Sequence, residues 1–136
     1  MPGECFFDTN VLIYAFTSGD RHSARAEALL AEGGVIGVQV LNEFTNVARR
    51  KLRWDWPQVD AALAVITELV EPVRPLTRDI HTHALKLARS AALSFYDALI
   101  VAAAADAGCN VLLTEDLQHG RKFGGVTVEN PFLEET

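Results

Sequence analysis

The stretch Cys5-Phe6-Phe7-Asp8-Thr9-Asn10-Val11-Leu12-Ile13-Tyr14 decides the fold class. Glu4 to Asp8 is short and apolar, bounded by Met1-Pro2-Gly3, and predicts a strand with Asp8 at its C-terminal end. Thr9 and Asn10 then open a turn and a short helix towards Phe16.

Outward from there, short apolar runs alternate with longer helical ones. Ser23 to Glu32 is an Ala-rich amphipathic helix stopped by Gly33-Gly34. Val35-Ile36-Gly37-Val38 predicts a second strand. Gln39 to Leu52 predicts a helix, with Val40, Leu41, Phe44, Val47 and Ala48 as its apolar stripe. Trp54-Asp55-Trp56-Pro57 breaks that pattern and starts another helix, to about Val70, with Pro57 in its first turn. Val73 to Leu76 reads as a third strand or an extended link.

Arg78 to Ala92 predicts a helix with Ile80, Ala84, Leu87 and Ala88 facing inwards. Ser94 suits the cap of the next, with Asp97 loosely completing a capping box. The run from Ala98 to Ala105 is apolar nearly all round, so that helix should sit centrally until Gly108 ends it. Asn110 to Thr114 predicts a buried strand and Val126-Thr127-Val128 a last short one, while Gly124-Gly125 reads as a turn. Alternation of this kind argues for one α/β domain over residues 1–136, with a mainly parallel sheet and no internal repeat. In such sheets chemistry gathers at the C-terminal ends of the strands.

Composition fits a globular chain, at 49% hydrophobic and 22% charged residues. Formal net charge is −6, which argues mildly against a nucleic-acid partner, although a local basic patch or bound metal acts against an average. The dense basic run is Arg49-Arg50-Lys51-Leu52-Arg53, either a solvated helix end or a phosphate-facing lip. Cys5 and Cys109 belong to no Cys-x-x-Cys and read as free, mostly buried thiols of a reducing cytoplasm. The N-terminal residues carry no secretory pattern, and no charge-free apolar stretch is long enough for a membrane span.

Two carboxylates are expected at strand ends: Asp8, and Asp116 with Glu115 beside it. Glu43 and Asp97 start or lie within helices that cover the same edge. Capping alone accounts for Asp97 and an exposed helix position for Glu43, but neither explains four acids at one edge. Hard oxygen ligands select Mg²⁺ or Mn²⁺, and a divalent ion relieves repulsion among carboxylates. Thr9, Asn10 and Thr114 are candidates to hold carboxylates or phosphate. His22, His81, His83 and His119 are scattered, and no zinc spacing, phosphate-binding glycine loop or nucleophile elbow is present. His119 reads as a surface histidine or a substrate contact.

Four motifs then carry a family likeness. Phe7-Asp8-Thr9-Asn10-Val11-Leu12-Ile13-Tyr14 resembles the opening of PIN-domain ribonucleases, most closely VapC-type toxins of bacterial toxin–antitoxin pairs. Gln39-Val40-Leu41-Asn42-Glu43-Phe44 is similar to their second motif. The run from Phe95 to Ala104 is similar to the third, and Leu113-Thr114-Glu115-Asp116-Leu117-Gln118-His119-Gly120 to the fourth. The resemblance implies that Asp8, Glu43, Asp97 and Asp116 hold the metal, with Thr9, Asn10 and Thr114 supporting them and Glu115 secondary. It implies a three-layer α/β/α sandwich, usually a homodimer, and Mg²⁺- or Mn²⁺-dependent hydrolysis of RNA. It also implies a cognate antitoxin that blocks the site and brings operator DNA to the complex. Gly37 departs from the family, which often has serine there.

In that light Arg49, Arg50, Lys51, Arg53, Arg121 and Lys122 are candidates for RNA backbone contact. Trp54 and Trp56 are either base-stacking residues or packing residues. The apolar faces of the helices at 23–32 and 56–70 supply either a dimer surface or core. Three other readings compete: a phosphate-accepting receiver domain, which lacks its acidic pair and lysine here; a non-catalytic module on the same fold; and a nuclease acting on DNA or structured RNA.

Overall fold

The protein is described here by a computed structural model covering residues 5–133. Glu4, expected to open the first strand, lies outside the described residues. Strand β1 is Cys5–Phe7, and Asp8 is one step past it, as the N-cap of helix α1, Thr9–Ala15. Helix α2, Ser23–Glu32, leads to strand β2, Ile36–Gly37. Helices α3, Val38–Arg50, and α4, Trp56–Leu69, precede strand β3, Val73–Arg74. Helices α5, Arg78–Ala91, and α6, Phe95–Asp106, precede strand β4, Val111–Leu113. Strands β5, Lys122–Phe123, and β6, Val126–Glu129, close the described chain.

One ladder has the order β1-β4-β6-β5, parallel except for the β5–β6 hairpin. The other pairs β2 with β3 in parallel. A parallel bridge between Phe6 and Val35 joins them, through Phe7 N to Val35 O at 3.0 Å and Val35 N to Cys5 O at 2.9 Å. The strand order across the joined sheet is therefore β3-β2-β1-β4-β6-β5.

Handedness assigns the layers. From β1 the chain moves outward to β2 and β3, then returns across the sheet to β4. Right-handed crossovers in opposite directions put α1 to α4 on one face and α5 with α6 on the other. Helix contacts agree: α1 packs on α2 and α3, α3 on α4, and α5 on α6, which lies against β4 and β6. The expected three-layer α/β/α arrangement with a mainly parallel sheet follows. Because both faces are covered, successive strand residues are buried: Phe6 with Phe7, and Leu112 with Leu113. Helix α6 buries every residue from Ala98 to Ala104, as its all-round apolar pattern requires.

Differences from the sequence reading concern ends and one element. Val38 belongs to α3 rather than to β2, because Gly37 is already the extended N-cap of that helix. Strand β5 was not expected: two residues carry no periodicity, and it forms only because Gly124-Gly125 turns the chain back onto β6. Asp55 caps α4 through a full capping box with Gln58. At Ser94 only the first half of the box is made, with Asp97 N donating to Ser94 Oγ at 3.3 Å.

Ala26, Leu29 and Leu30 of α2, and Val59, Ala62 and Ile66 of α4, are core. Val65 and Leu69 of α4 remain 46% and 44% exposed, so α4, unlike α2, keeps large apolar side chains on its outer face. Cys109 is buried and Cys5 half-buried. Burial pushes the Cys109 thiol up to about 11, which disfavours its thiolate. Among the described residues no helix is long and apolar enough to cross a membrane.

Candidate active site

The chain changes direction across the sheet between β1 and β4, which are neighbours. Their C-terminal ends flank the topological switch point, the place where open α/β sheets bind ligands. Asp8 leaves β1 there, and Thr114, Glu115 and Asp116 leave β4. Helix α1 starts at the same edge, so one of its faces, Asn10, Ile13 and Tyr14, overlooks the strand ends. Helix α3 starts from β2 at that edge too and presents Glu43, Asn46 and Val47, spaced three and four apart. Together with Lys51 and Leu52 these residues enclose a cleft of about 480 Å³.

Asp8 is buried, and both its oxygens are engaged. Oδ1 accepts from Thr9 N at 2.7 Å, and Oδ2 accepts from the Thr114 hydroxyl at 2.7 Å. Burial nevertheless pushes its carboxyl up to about 6, and the neighbouring charges of Asp116 and Glu43 push the same way. The Thr9 hydroxyl donates to Glu43 Oε1 at 2.8 Å, and Gln39, one turn earlier on α3, donates to Glu43 Oε2 at 3.3 Å. Asn10 Nδ2 donates to Asp116 Oδ2 at 3.1 Å and to Thr114 Oγ1 at 3.3 Å, while Asp116 N donates to Thr114 Oγ1 at 3.0 Å. The Tyr14 hydroxyl donates to both oxygens of Glu115, at 3.0 and 2.8 Å. Burial and that carboxylate keep the phenol protonated, pushed up to about 12.

Asp8, Glu43, Glu115 and Asp116 thus share one cleft. Asp97 does not line it. It is half-buried in the first turn of α6. The last turn of α6 feeds β4 at the opposite edge of the sheet, and Leu99 and Ile100 lie beside Val38 and Gln39 at the start of α3. The first turn, with Asp97, therefore faces the strands' C-terminal edge.

Of the six basic candidates, Lys51 lines the cleft. Arg50 and Arg53 are exposed. Arg49 donates to Trp54 O at 2.9 Å and lies 4.2 Å over the Trp56 ring, so it ties the α3–α4 turn together. Arg121 donates to Ala91 O at 3.0 Å and covers the Phe123 ring, and exposed Lys122 stands with it at the far strand, two positions from β4. Trp54 packs edge-on against Phe44 in the core, which leaves Trp56 as the exposed tryptophan. His119 accepts from Asn130 N at 3.0 Å and so braces a loop.

Tyr14, Gln39 and Asn46 were missed by the sequence reading. Each lies one helical turn from a named candidate, so helical spacing from Asn10 and Glu43 was the signal that could have found them. Gly37 caps α3 without a side-chain bond. A Cβ there would meet Phe6 Cζ at 3.4 Å and Arg74 O at 3.6 Å, ordinary contact, so a hydroxyl residue would fit.

Among the described residues, no three His, Cys, Asp or Glu side chains form a group that could hold a metal ion as placed. The carboxylates are instead satisfied by Thr9, Asn10, Tyr14, Gln39 and Thr114. The donor set still suits a hard cation: all its ligand atoms are oxygens, and Asp8 carries a charge that its neighbours oppose. Asn10 Oδ1 is buried with no hydrogen-bond partner, an acceptor left over at the same place.

Comparison with known proteins agrees with this fold. The profile of the PIN domain matches residues 5–122. Among solved structures, the Mycobacterium tuberculosis toxin VapC20, described as cleaving the sarcin–ricin loop, is 25% identical with a TM-score of 0.65, over 79% of this chain and 86% of that one. A toxin–antitoxin complex from Klebsiella pneumoniae is 23% identical with a TM-score of 0.71, over 94% and 98% of the two chains. DNA-bound VapBC from Salmonella typhimurium is 22% identical with a TM-score of 0.65, over 95% and 98%. No curated protein matches the chain. With its fold shared by these toxin structures and the family profile spanning most of its length, the chain belongs to the PIN domain family.

Proposed function

We propose that this protein is a metal-dependent endoribonuclease, the toxin of a toxin–antitoxin pair. One observation carries the reading: acids from β1, from α3 and from the turn after β4 share a single cleft at the switch point of the sheet. Family membership supports hydrolysis of nucleic acid. The likeness to a toxin described as cleaving an RNA loop supports RNA over DNA.

Asp8, Glu43 and Asp116 would hold Mg²⁺ or Mn²⁺, with Asp97 contributing from α6. When bound, such an ion activates water and offsets charge on the phosphoryl oxygens. The chain's own residues prepare that place. Thr114 and the Thr9 amide keep Asp8 oriented against its burial. Thr9 and Gln39 aim the Glu43 carboxylate. Asn10 couples Asp116 to Thr114. Lys51 gives an incoming backbone phosphate a cationic partner at the rim.

The solved toxin–antitoxin complexes support a cognate antitoxin as partner, and the DNA-bound ones support operator DNA reaching the complex through that antitoxin. A homodimer fits the exposed apolar face of α4, and a cytoplasmic site of action fits an RNA substrate.

The hydrogen-bonded state of the acids favours one second reading, a non-catalytic module that keeps the fold. The deciding experiment is cleavage of a mixed RNA pool by purified protein with Mg²⁺ or Mn²⁺, with EDTA, and with Asp8→Asn. Metal-dependent cutting lost in Asp8→Asn is expected. Folded protein that neither cuts nor binds Mn²⁺ would hand the case to the module, and cutting of DNA alone would move the substrate.

A further inference from the structure

Two acids stand side by side after β4 and both line the cleft, yet α1 grips them differently. Asn10 holds Asp116 at Oδ2, and Tyr14, one turn later on the same face, holds Glu115 at both oxygens. The Tyr14 ring is itself pinned edge-on by His22 and Phe132, each with its ring centroid 4.9 Å away. Packing, rather than Glu115, therefore fixes where the hydroxyl sits. Both Glu115 oxygens are turned to that single donor, while Asp116 is exposed and linked to Asp8 through Thr114.

We propose that Tyr14 is a positioning residue whose hydroxyl holds the Glu115 carboxylate aside, so that Asp116 and not Glu115 serves the acidic site. This deepens the nuclease reading and rests on it. Asp8, Glu43 and Asp116 already crowd like charge into the cleft. A released Glu115 would add another carboxylate within reach of the same cation. The cation would gain a ligand and lose its position, so binding and catalysis would move in opposite directions.

The test uses the full chain, with Mn²⁺ binding read by calorimetry and RNA cleavage read as kcat and KM. Tyr14→Phe keeps the ring and removes the hydroxyl. It should bind MnCl₂ more tightly, by about threefold, and lower kcat by about tenfold with KM for RNA unchanged. Adding Glu115→Gln to Tyr14→Phe should restore both values, because the freed side chain no longer carries charge. Glu115→Gln alone should bind Mn²⁺ as the parent does, since Tyr14 can still donate to its amide oxygen. Parental values in Tyr14→Phe, or a defect that Glu115→Gln fails to relieve, would overturn the assignment in favour of mere packing. Should Tyr14→Phe not fold, Glu115→Ala decides: lost Mn²⁺ binding would make Glu115 a ligand and end the proposal, and retained binding supports it. A parent protein that neither binds Mn²⁺ nor cuts RNA removes the nuclease reading, and this inference with it.

Discussion

The Thr114 hydroxyl donates to Oδ2 of Asp8 at 2.7 Å, tying together the ends of two neighbouring parallel strands. Thr114 is wholly buried, and its oxygen also accepts from Asn10 and from the Asp116 amide. Thr114→Val keeps the shape and strands three partners. It should cost roughly 1–3 kcal/mol in denaturant unfolding and raise the protonation midpoint of Asp8 further. A variant as stable as the parent would show that water takes over these bonds.

Asp8 makes stability depend on pH in a definite direction. Its carboxyl is raised from 3.8 to about 6, so the folded state holds the proton more tightly than the unfolded chain does. The Asp8 contribution to stability is therefore most favourable below about 4, declines as pH rises through 6, and stays unfavourable above. Asp8→Asn removes that dependence. In metal-free buffer at pH 7.5 it should be more stable than the parent by about 3 kcal/mol, with the gap closing near pH 4. Mn²⁺ should reverse the ranking, because only the parent gains from binding it. Parallel stability profiles for the two proteins would contradict the burial account.

Lys51 and Arg49 separate substrate contact from structure within one basic run. Lys51→Ala should raise KM for RNA several-fold, leave kcat alone and lower the salt slope of binding by about 1. Arg49→Ala should leave KM unchanged and cost about 1 kcal/mol of stability, since its guanidinium holds Trp54 O and covers Trp56. Swapped outcomes would mean that the lip lies on the other side of α3.

For Asp97 the cap and the site can be told apart, because Ser94 supplies the side-chain cap of α6. Asp97→Asn should cost under about 1 kcal/mol, the value of a carboxylate near a helix N-terminus. RNA cleavage should nevertheless fall by about 100-fold or more if the carboxylate serves the metal. Full activity in this variant would reduce Asp97 to a dipole partner of its own helix.

Much of this architecture was legible because burial leaves a strong signature. Helix α6 had to be central, since no face of Ala98–Ala104 could meet water, and β4 had to be interior for the same reason. The acids were legible as strand-end and helix-start residues once the alternation of strands and helices was read. Strand β5 was not legible, because a two-residue strand is made by its turn and its partner. Nor was the division of labour within 49–53, since Arg49 and Lys51 differ only in which side of the end of α3 they leave from. Tyr14 stayed hidden among apolar neighbours, because only the folded chain shows that its hydroxyl meets Glu115.

The sheet is assembled from two ladders that meet, among the described residues, at the Phe6–Val35 bridge. Asp8 and Asp116 follow strands of one ladder, whereas Glu43 rides on α3, which springs from the other. The cleft is thus a seam between two halves, crossed at side-chain level by the Thr9–Glu43 bond. An ion or inhibitor that grips both walls would act as a rivet, and its binding should slow amide exchange along β2 and the start of α3, well beyond the atoms it touches.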